Sequence, residues 1–279
     1  MHSRLLAVVA LLLGLAISGC SQSTGTAVEQ SSTTTTQLPT TTSSSTTSST
    51  TSITTTTIAR LATVGKVAAI YAGHNGGNSA HSGEFNQLVD AGNGVTKACD
   101  TSGTASSDGY PEFEFTLSVA KVVQSILDAH GITVVMVRND STGWGPCITQ
   151  SAQIGNDARA DIAISIHGDG NDSPGTRGFH VLVPQTTNVN GAIAPASNRF
   201  GTILRDSFLA TGMPVSNYLG TNGIMPRGDL GGLNLSTVPK VFIECGNMRN
   251  ATDASMMRSE TFQQAAATAI SSAVLQFLN

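Results

Sequence analysis

Four residues along the chain are of the types that hold a catalytic metal ion and supply a base. His74 follows the apolar run IYAG, His167 ends the run ISIH, and Glu244 ends the run VFIE. Glu112 stands at the start of an amphipathic segment. Two imidazoles and a carboxylate with an open fourth position make the ligand set of a catalytic zinc ion. A second carboxylate nearby can act as the general base of metal-assisted hydrolysis.

Each of these residues also has an ordinary structural interpretation. A histidine at the end of a strand more often makes a loop hydrogen bond than binds a metal. Glu112 in the first turn of a helix would be favoured by the helix dipole alone, and Glu244 could be one half of an ion pair. Their joint occurrence at the ends of successive elements favours the metal site over four unrelated roles.

Strands and helices that would position these residues alternate along the chain. Apolar runs predict strands over residues 65–73, 132–138, 161–168, 178–184 and 238–246. Helical periodicity predicts helices over residues 111–131, 147–160, 196–212 and 255–279, with a short one within 229–237. The alternation predicts one α/β domain with a twisted, mixed, mostly parallel sheet and helices on both faces. Sites in such sheets form at the carboxyl ends of strands, where three of the four residues lie.

The N-terminal part of the chain has a different composition. Residues 1–20 combine Arg4, a short apolar run and small residues ending at Cys20, which predicts a secretory signal. Its end, ISGC, resembles the bacterial lipobox, which implies that Cys20 carries lipid and tethers the protein outside the cytoplasmic membrane, facing the cell wall. Ordinary cleavage with loss of Cys20 is the alternative. Residues 21–60 form a Ser/Thr tract that predicts a disordered stalk, and residues 61–279 suffice for one domain.

The remaining cysteines and the charge narrow the class of protein. Cys99 and Cys147 stand in Gly/Ser-rich loops, and the compartment is oxidising, so we expect a disulfide between them. Cys245 alternates with Glu244 along its strand, so we expect a buried thiol on the opposite face, with zinc ligation as the alternative. A net charge of −4 with 11% charged residues gives no sign of a nucleic-acid partner.

Four motifs, in order along the chain, together resemble the zinc-dependent N-acetylmuramoyl-L-alanine amidases of the type-3 amidase family, which cut bacterial peptidoglycan. The motifs are AGHNGG, PEFEFTLSVA, SIHGD and IECGN, and the resemblance covers about residues 65–279. The segments GYPEF, GPC and GNM most resemble the actinobacterial lineage of this family, including its loop disulfide.

This resemblance implies a metal site with assigned ligands. Zn²⁺ would be the cofactor, bound by His74, Glu112 and His167. Glu112 is preferred to Glu114 because it lies five residues before Leu117, where the family keeps a leucine. We expect His180, in GFHVLV, on the other face of its strand rather than as a third histidine ligand.

The resemblance also implies a reaction and a substrate. Water activated by the zinc would cleave the amide between N-acetylmuramic acid and L-alanine of peptidoglycan or its muropeptides. Glu244 would be the catalytic base, taking the proton of the water and passing it to the leaving amine. Arg227 could bind a carboxylate of the peptide stem, and a structural pair with Asp229 is the equal alternative. We expect a monomer.

Three other interpretations of the sequence stay open. Another zinc metallopeptidase or a deacetylase-like hydrolase would use similar ligands, but the His-x-x-Glu spacing usual in metallopeptidases is absent after His74. A non-catalytic, wall-binding lipoprotein would result if the long Gly/Ser-rich segment between His74 and Glu112 closed over the site as a flap. A structural zinc protein is disfavoured because no cysteine pair has zinc-finger spacing.

Overall fold

The sheet at the centre of the fold has six strands. The computed structural model describes residues 63–279. Its strands are β1 (Val67–Ala72), β2 (Leu88–Asp90), β3 (Thr96–Ala98), β4 (Thr133–Met136), β5 (Ile162–Asp169), β6 (His180–Pro184), β7 (Ile224–Arg227) and β8 (Lys240–Asn247). The order across the main sheet is β4-β1-β5-β8-β6-β7, and β2 and β3 form a separate antiparallel hairpin. Strands β4, β1, β5 and β8 are parallel, whereas β6 pairs antiparallel with β8 and parallel with β7.

Helices cover both faces of this sheet. They are α1 (Ser82–Phe85), α2 (Glu112–Ala129), α3 (Ile148–Asp157), α4 (Ala194–Phe208), α5 (Gly231–Asn234), α6 (Ala251–Arg258) and α7 (Glu260–Leu278). Helices α2, α4 and α7 pack together over one face, whereas α3 and α5 contact each other and lie over the other.

The two faces of the sheet carry hydrophobic clusters of different size. Toward α2, α4 and α7, the strands present large aliphatic side chains such as Ile70, Ile164 and Ile243, all fully buried. Toward α3 and α5 the cluster is smaller and includes Ala69 and Ala163. Because these side chains are short, the second face leaves room for a cavity beside the sheet.

The predicted α/β fold is confirmed, with differences in the smaller elements. Strand β7 and the β2–β3 hairpin were not predicted. The helix predicted over residues 255–279 is two helices, α6 and α7, separated at Ser259. Ser259 has an extended backbone, and its side chain accepts a hydrogen bond from the Phe262 N–H, so it caps α7 rather than continuing α6.

The predictions for the N-terminal segment lie outside the described residues. These are the signal in residues 1–20, lipidation of Cys20 and the stalk in residues 21–60. Within residues 63–279, no helix is both long and apolar enough to cross a membrane.

Candidate metal centre and active site

Three neighbouring parallel strands bring the predicted site residues to one edge of the sheet. His74 follows β1 by two residues, and His167 lies near the end of β5. Glu244 of β8 is the register partner of His167. Glu112 is the first residue of α2, which packs against β1 and β5. The parallel pairing therefore places His74, His167 and Glu244 at the carboxyl edge, and the packing of α2 brings Glu112 to it.

His74, Glu112 and His167 form a cluster that fits a divalent metal ion. One potential ligand atom from each residue lies within 4.8 Å of the other two. Nε2 of His74 is 3.4 Å from Oε2 of Glu112, and Nδ1 of His167 is 3.0 Å from Oε1. Ligands about 2.0–2.2 Å from a tetrahedral zinc ion lie about 3.3–3.6 Å apart. The nitrogen and carboxylate donors thus have both the chemistry and nearly the spacing that zinc needs.

The orientation of His74 is fixed by its backbone and by its second ring nitrogen. The residue has a φ of +59°, in the left-handed region. Its Nδ1 lies 3.1 Å from the Thr101 carbonyl oxygen and 3.4 Å from the Asp100 carboxylate. Donation from Nδ1 to these oxygens leaves Nε2 free for a metal. The preceding residue must be glycine, because a Cβ at Gly73 would lie 2.4 Å from the His167 ring.

Glu112 is held in its ionised form. It is only 3% exposed, and its oxygens accept hydrogen bonds from the Thr104 and Gly168 N–H groups at 3.0 and 3.1 Å. Burial alone would raise the pKa of this carboxyl, but His74 and His167 outweigh burial and lower the pKa below its ordinary value. The alternative ligand Glu114 is exposed and lies outside the cluster.

Glu244 has an environment opposite to that of Glu112. Its Oε2 is buried and has no hydrogen-bond partner within residues 63–279. Burial raises the pKa of the Glu244 carboxyl well above its ordinary value, and the charges of Glu112 and Asp169 raise it further. A cation held by the cluster would oppose this increase. The unpartnered carboxylate beside the cluster can therefore accept a proton.

His180 lies closer to the site than we expected. It is the register partner of Glu244 across the β6–β8 pair, and directly opposed residues share one face of a sheet. The expectation that it lies on the other face is therefore wrong, because β6 is antiparallel and its register aligns the two residues. Burial lowers the pKa of His180 to about 4, so the imidazole is neutral at pH 7.

Arg227, predicted to bind substrate or to pair with Asp229, makes the pair. Its Nε and Nη2 donate to the two carboxylate oxygens of Asp229 at 2.6 and 2.7 Å. Lys97 also donates to Asp229, at 2.7 Å. The guanidinium of Arg227, at the end of β7, is therefore held in place by an acidic partner.

Arg138 supports the site although the sequence did not single it out. This buried guanidinium donates to the carbonyl oxygen of Ala72 at 2.9 Å and to that of Phe113 at 2.7 Å. It also donates to the Thr116 hydroxyl at 3.0 Å. Arg138 thus joins the end of β1, which carries His74, to the first turn of α2. Its position at the end of a predicted strand was the only available signal.

The segment between His74 and Glu112 is tied down rather than free. Cys99 forms a disulfide with Cys147, and their Cα atoms lie 4.6 Å apart. The buried amide of Asn78 donates to the Thr101 carbonyl at 2.6 Å and to Asp100 at 2.8 Å. These contacts fix the oxygens that orient His74. Cys245, which forms no disulfide, is fully buried and outside the metal cluster.

A cavity of about 470 Å³ adjoins the cluster. His74 and His167 line it, and it extends along the sheet face beneath α3 and α5, where Tyr71, Phe242 and Lys240 contribute to its walls. Sequence reasoning did not single out Lys240. The sequence did contain a signal. Lys240 lies two residues before Phe242 and four before Glu244, so all three side chains are on the same face of the strand.

Comparison with known proteins agrees with the motifs and the geometry. The model of the Amidase_3 family, described as N-acetylmuramoyl-L-alanine amidase, matches residues 69–276. The chain is 38% identical over 214 residues to N-acetylmuramoyl-L-alanine amidase Rv3717 of Mycobacterium tuberculosis (strain ATCC 25618 / H37Rv), covering 77% of this chain and 87% of that protein.

Solved structures of mycobacterial proteins also match most of the chain. Ami1 from Mycobacterium smegmatis is 39% identical with a TM-score of 0.73, covering 77% of this chain and 98% of that one. Apo Ami1 from Mycobacterium abscessus is 38% identical with a TM-score of 0.73, and the match covers 77% of this chain and 100% of that one. Since the family match spans most of the chain and includes every residue of the cluster, the chain belongs to the Amidase_3 family of N-acetylmuramoyl-L-alanine amidases.

Proposed function

We propose that the chain hydrolyses the amide bond between N-acetylmuramic acid and L-alanine in peptidoglycan with a zinc ion bound by His74, Glu112 and His167. The observation that carries this proposal is the convergence of three ligand atoms within 4.8 Å at the sheet edge, beside the unpartnered Glu244. When bound, zinc supplies Lewis-acid polarisation of a carbonyl and acidifies water.

Glu244 is the base in this proposal. It takes a proton from the attacking water and delivers it to the amine of L-alanine as the amide bond breaks. Support comes from its buried Oε2, which makes no hydrogen bond to the described part of the protein. The two carboxylates then have distinct roles: Glu112, which accepts two N–H groups, is a ligand, and Glu244 moves the proton.

Arg227 is proposed to position the substrate. Its ion pair with Asp229 uses Nε and Nη2, and a guanidinium has five N–H donors. The remaining donors can bind a carbonyl oxygen of the peptide stem while Asp229 holds the guanidinium in place.

The location proposed for the enzyme is outside the cytoplasmic membrane, as a monomer anchored through lipid on Cys20. The support is the sequence ISGC and the cell-wall substrate of the family. In a bacterial host the full chain should fractionate with membranes, and Cys20→Ser should release it. An unmodified, soluble N-terminus at or beyond Ser21 would contradict the anchor.

Mass spectrometry of peptidoglycan digested by the purified protein tests the reaction. We expect muramic acid with a free lactyl carboxylate and stem peptides with a free N-terminal L-alanine. A chelator should stop their release and added zinc should restore it. Products cut only within the glycan or within the peptide would contradict the proposed bond, and full activity without metal would contradict the cofactor.

A further inference from the structure

Lys240 is a buried lysine without an acidic partner in the described part of the chain. It is the first residue of β8 and is 1% exposed. Its Nζ lies 3.3 Å from the centroid of the Tyr71 ring and 5.3 Å from that of Phe242. Within residues 63–279, this nitrogen makes no hydrogen bond or ion pair, and burial is the only influence on its pKa. A buried charge without a partner is costly, and aromatic faces offset only part of that cost.

The Lys240 side chain lines the same cavity as His74 and His167. Lys240 and Glu244 share one face of β8, because alternate residues of a strand point the same way. Lys240 pairs with Ala163, and Glu244 pairs with His167. Four residues separate Lys240 from Glu244 along β8, so their Cα atoms lie about 13 Å apart at about 3.3 Å per residue. The cavity of about 470 Å³ includes both His167 and Lys240 in its lining.

The cavity walls between His167 and Lys240 suit a short peptide. Phe242 stacks on His167 with ring centroids 5.4 Å apart, and Ile148 and Leu230 also line the cavity. Apolar walls of this kind favour small aliphatic side chains and disfavour a hydrated glycan. An extended peptide spans about 3.3–3.6 Å per residue, so three or four residues bridge the distance from the scissile amide to Lys240.

We propose that this cavity binds the peptide side of the substrate and that Lys240 pairs with a peptide carboxylate three or four residues beyond the scissile amide. This inference rests on the proposed function and assigns a specificity residue to it. Burial holds the pKa of the Lys240 ammonium well below its ordinary value, and a carboxylate in the cavity would counter that effect.

Lys97 provides a matched comparison. It lines the same cavity, but its Nζ is paired with Asp229 at 2.7 Å and its side chain is 36% exposed. A lysine that already has a carboxylate partner should add little to binding of a second one. Removing its charge should therefore leave selectivity for acidic peptides in place.

Calorimetric binding of peptides tests the inference without any turnover. The ligands are tetrapeptides that begin with L-alanine and end in either a free carboxylate or a carboxamide, and they lack the scissile bond. The parent should bind the carboxylate form at least about tenfold more tightly. Lys240→Met, of similar length and no charge, should bind both forms equally, whereas Lys97→Met should keep the parent's preference.

Two results would overturn this inference. One is a parent protein that binds the two peptides equally, a result that does not depend on any variant folding. The other is a Lys240→Met variant that keeps the preference for the carboxylate. Since binding is measured apart from cleavage, either result would leave the amidase reaction to be judged by its own products.

Discussion

His74 and His167 each offer one ring nitrogen to a shared cluster with Glu112, so removing either ring should remove the metal. We expect about one zinc per parent chain and near-complete loss in His74→Ala and His167→Ala. Elemental analysis of the purified proteins gives the content. His81→Ala is the control, since His81 stacks on Trp144 with ring centroids 5.1 Å apart and lies outside the cluster. Full zinc content in both ligand variants would contradict the assignment.

The raised pKa of Glu244 predicts how the metal-free protein responds to pH. Its folded pKa lies above the unfolded value, so Glu244 destabilises the fold increasingly as the pH rises above the unfolded value. Glu244→Gln should therefore raise the melting temperature at pH 7 and have little effect near pH 4. We expect the free energy of unfolding to rise by about 1–3 kcal/mol. Each kcal/mol should raise the melting temperature by about 2–4 °C.

Calorimetric melting of chelator-treated protein at the two pH values checks this prediction. Exposed Glu114 offers the control Glu114→Gln, which should have little effect at either pH. Glu244→Gln that melts below the parent at pH 7 would show that the carboxylate has a stabilising partner.

The four candidate site residues, His74, Glu112, His167 and Glu244, could be predicted from the sequence because their residue types and their order along the chain indicate a metal site. Glu112, His167 and Glu244 sit at or near element ends that periodicity locates. His180 could not be placed, since its position beside Glu244 depends on the antiparallel register of β6 with β8. Lys240 could not be recognised either, because its lack of a partner depends on which elements cover that face of the sheet.

At the scale of elements, Arg138 joins the end of β1 to the first turn of α2. It thereby links the segments that carry His74 and Glu112, two of the proposed ligands. Arg138→Lys keeps the charge but loses the planar fork that reaches Ala72, Phe113 and Thr116 together. We expect a loss of about 1.5–3 kcal/mol of stability and about a 10–100-fold weaker affinity for zinc. Denaturant unfolding and competition with a zinc chelator measure the two effects.

Arg159→Lys, at an exposed arginine, is the control for this substitution. Parent-like zinc affinity in Arg138→Lys would mean that β1 and α2 hold His74 and Glu112 without the guanidinium.

The long elements could be predicted because their hydrophobic periodicity extends over several turns or a whole buried strand. The short ones could not. Strand β7 has the sequence IMPR, and proline argues against a strand. It is tolerated because β7 is at the edge of the sheet, where one side of its backbone pairs with no other strand. The hairpin strands β2 and β3 have three residues each, too few to show a period.

For the whole domain, the disulfide should stabilise both the fold and the metal site. The Cys99–Cys147 link spans 48 residues, a loop worth roughly 4 kcal/mol in the chain-entropy model. Cys99 also precedes Asp100 and Thr101, whose oxygens orient His74. Reduction should therefore lower the unfolding free energy and weaken zinc binding.

Denaturant unfolding with and without reductant measures the loss of unfolding free energy. Peptide mapping without reduction identifies the two linked cysteines. The double variant Cys99→Ser/Cys147→Ser should be as unstable as the reduced parent and insensitive to reductant. Equal stability of the oxidised and reduced parent would contradict the structural role of this bond.

The central claim is that Glu244 moves the proton while His74, Glu112 and His167 hold the metal. The most direct test measures the release of N-terminal L-alanine from muropeptides by Glu244→Gln together with its zinc content. We predict parent-like zinc and a rate lower by about 10²–10⁴-fold, the usual loss when a general base is removed. Glu112→Gln should lose zinc as well as rate. If Glu244→Gln keeps its zinc and cleaves as fast as the parent, the base is another group and this mechanism is wrong.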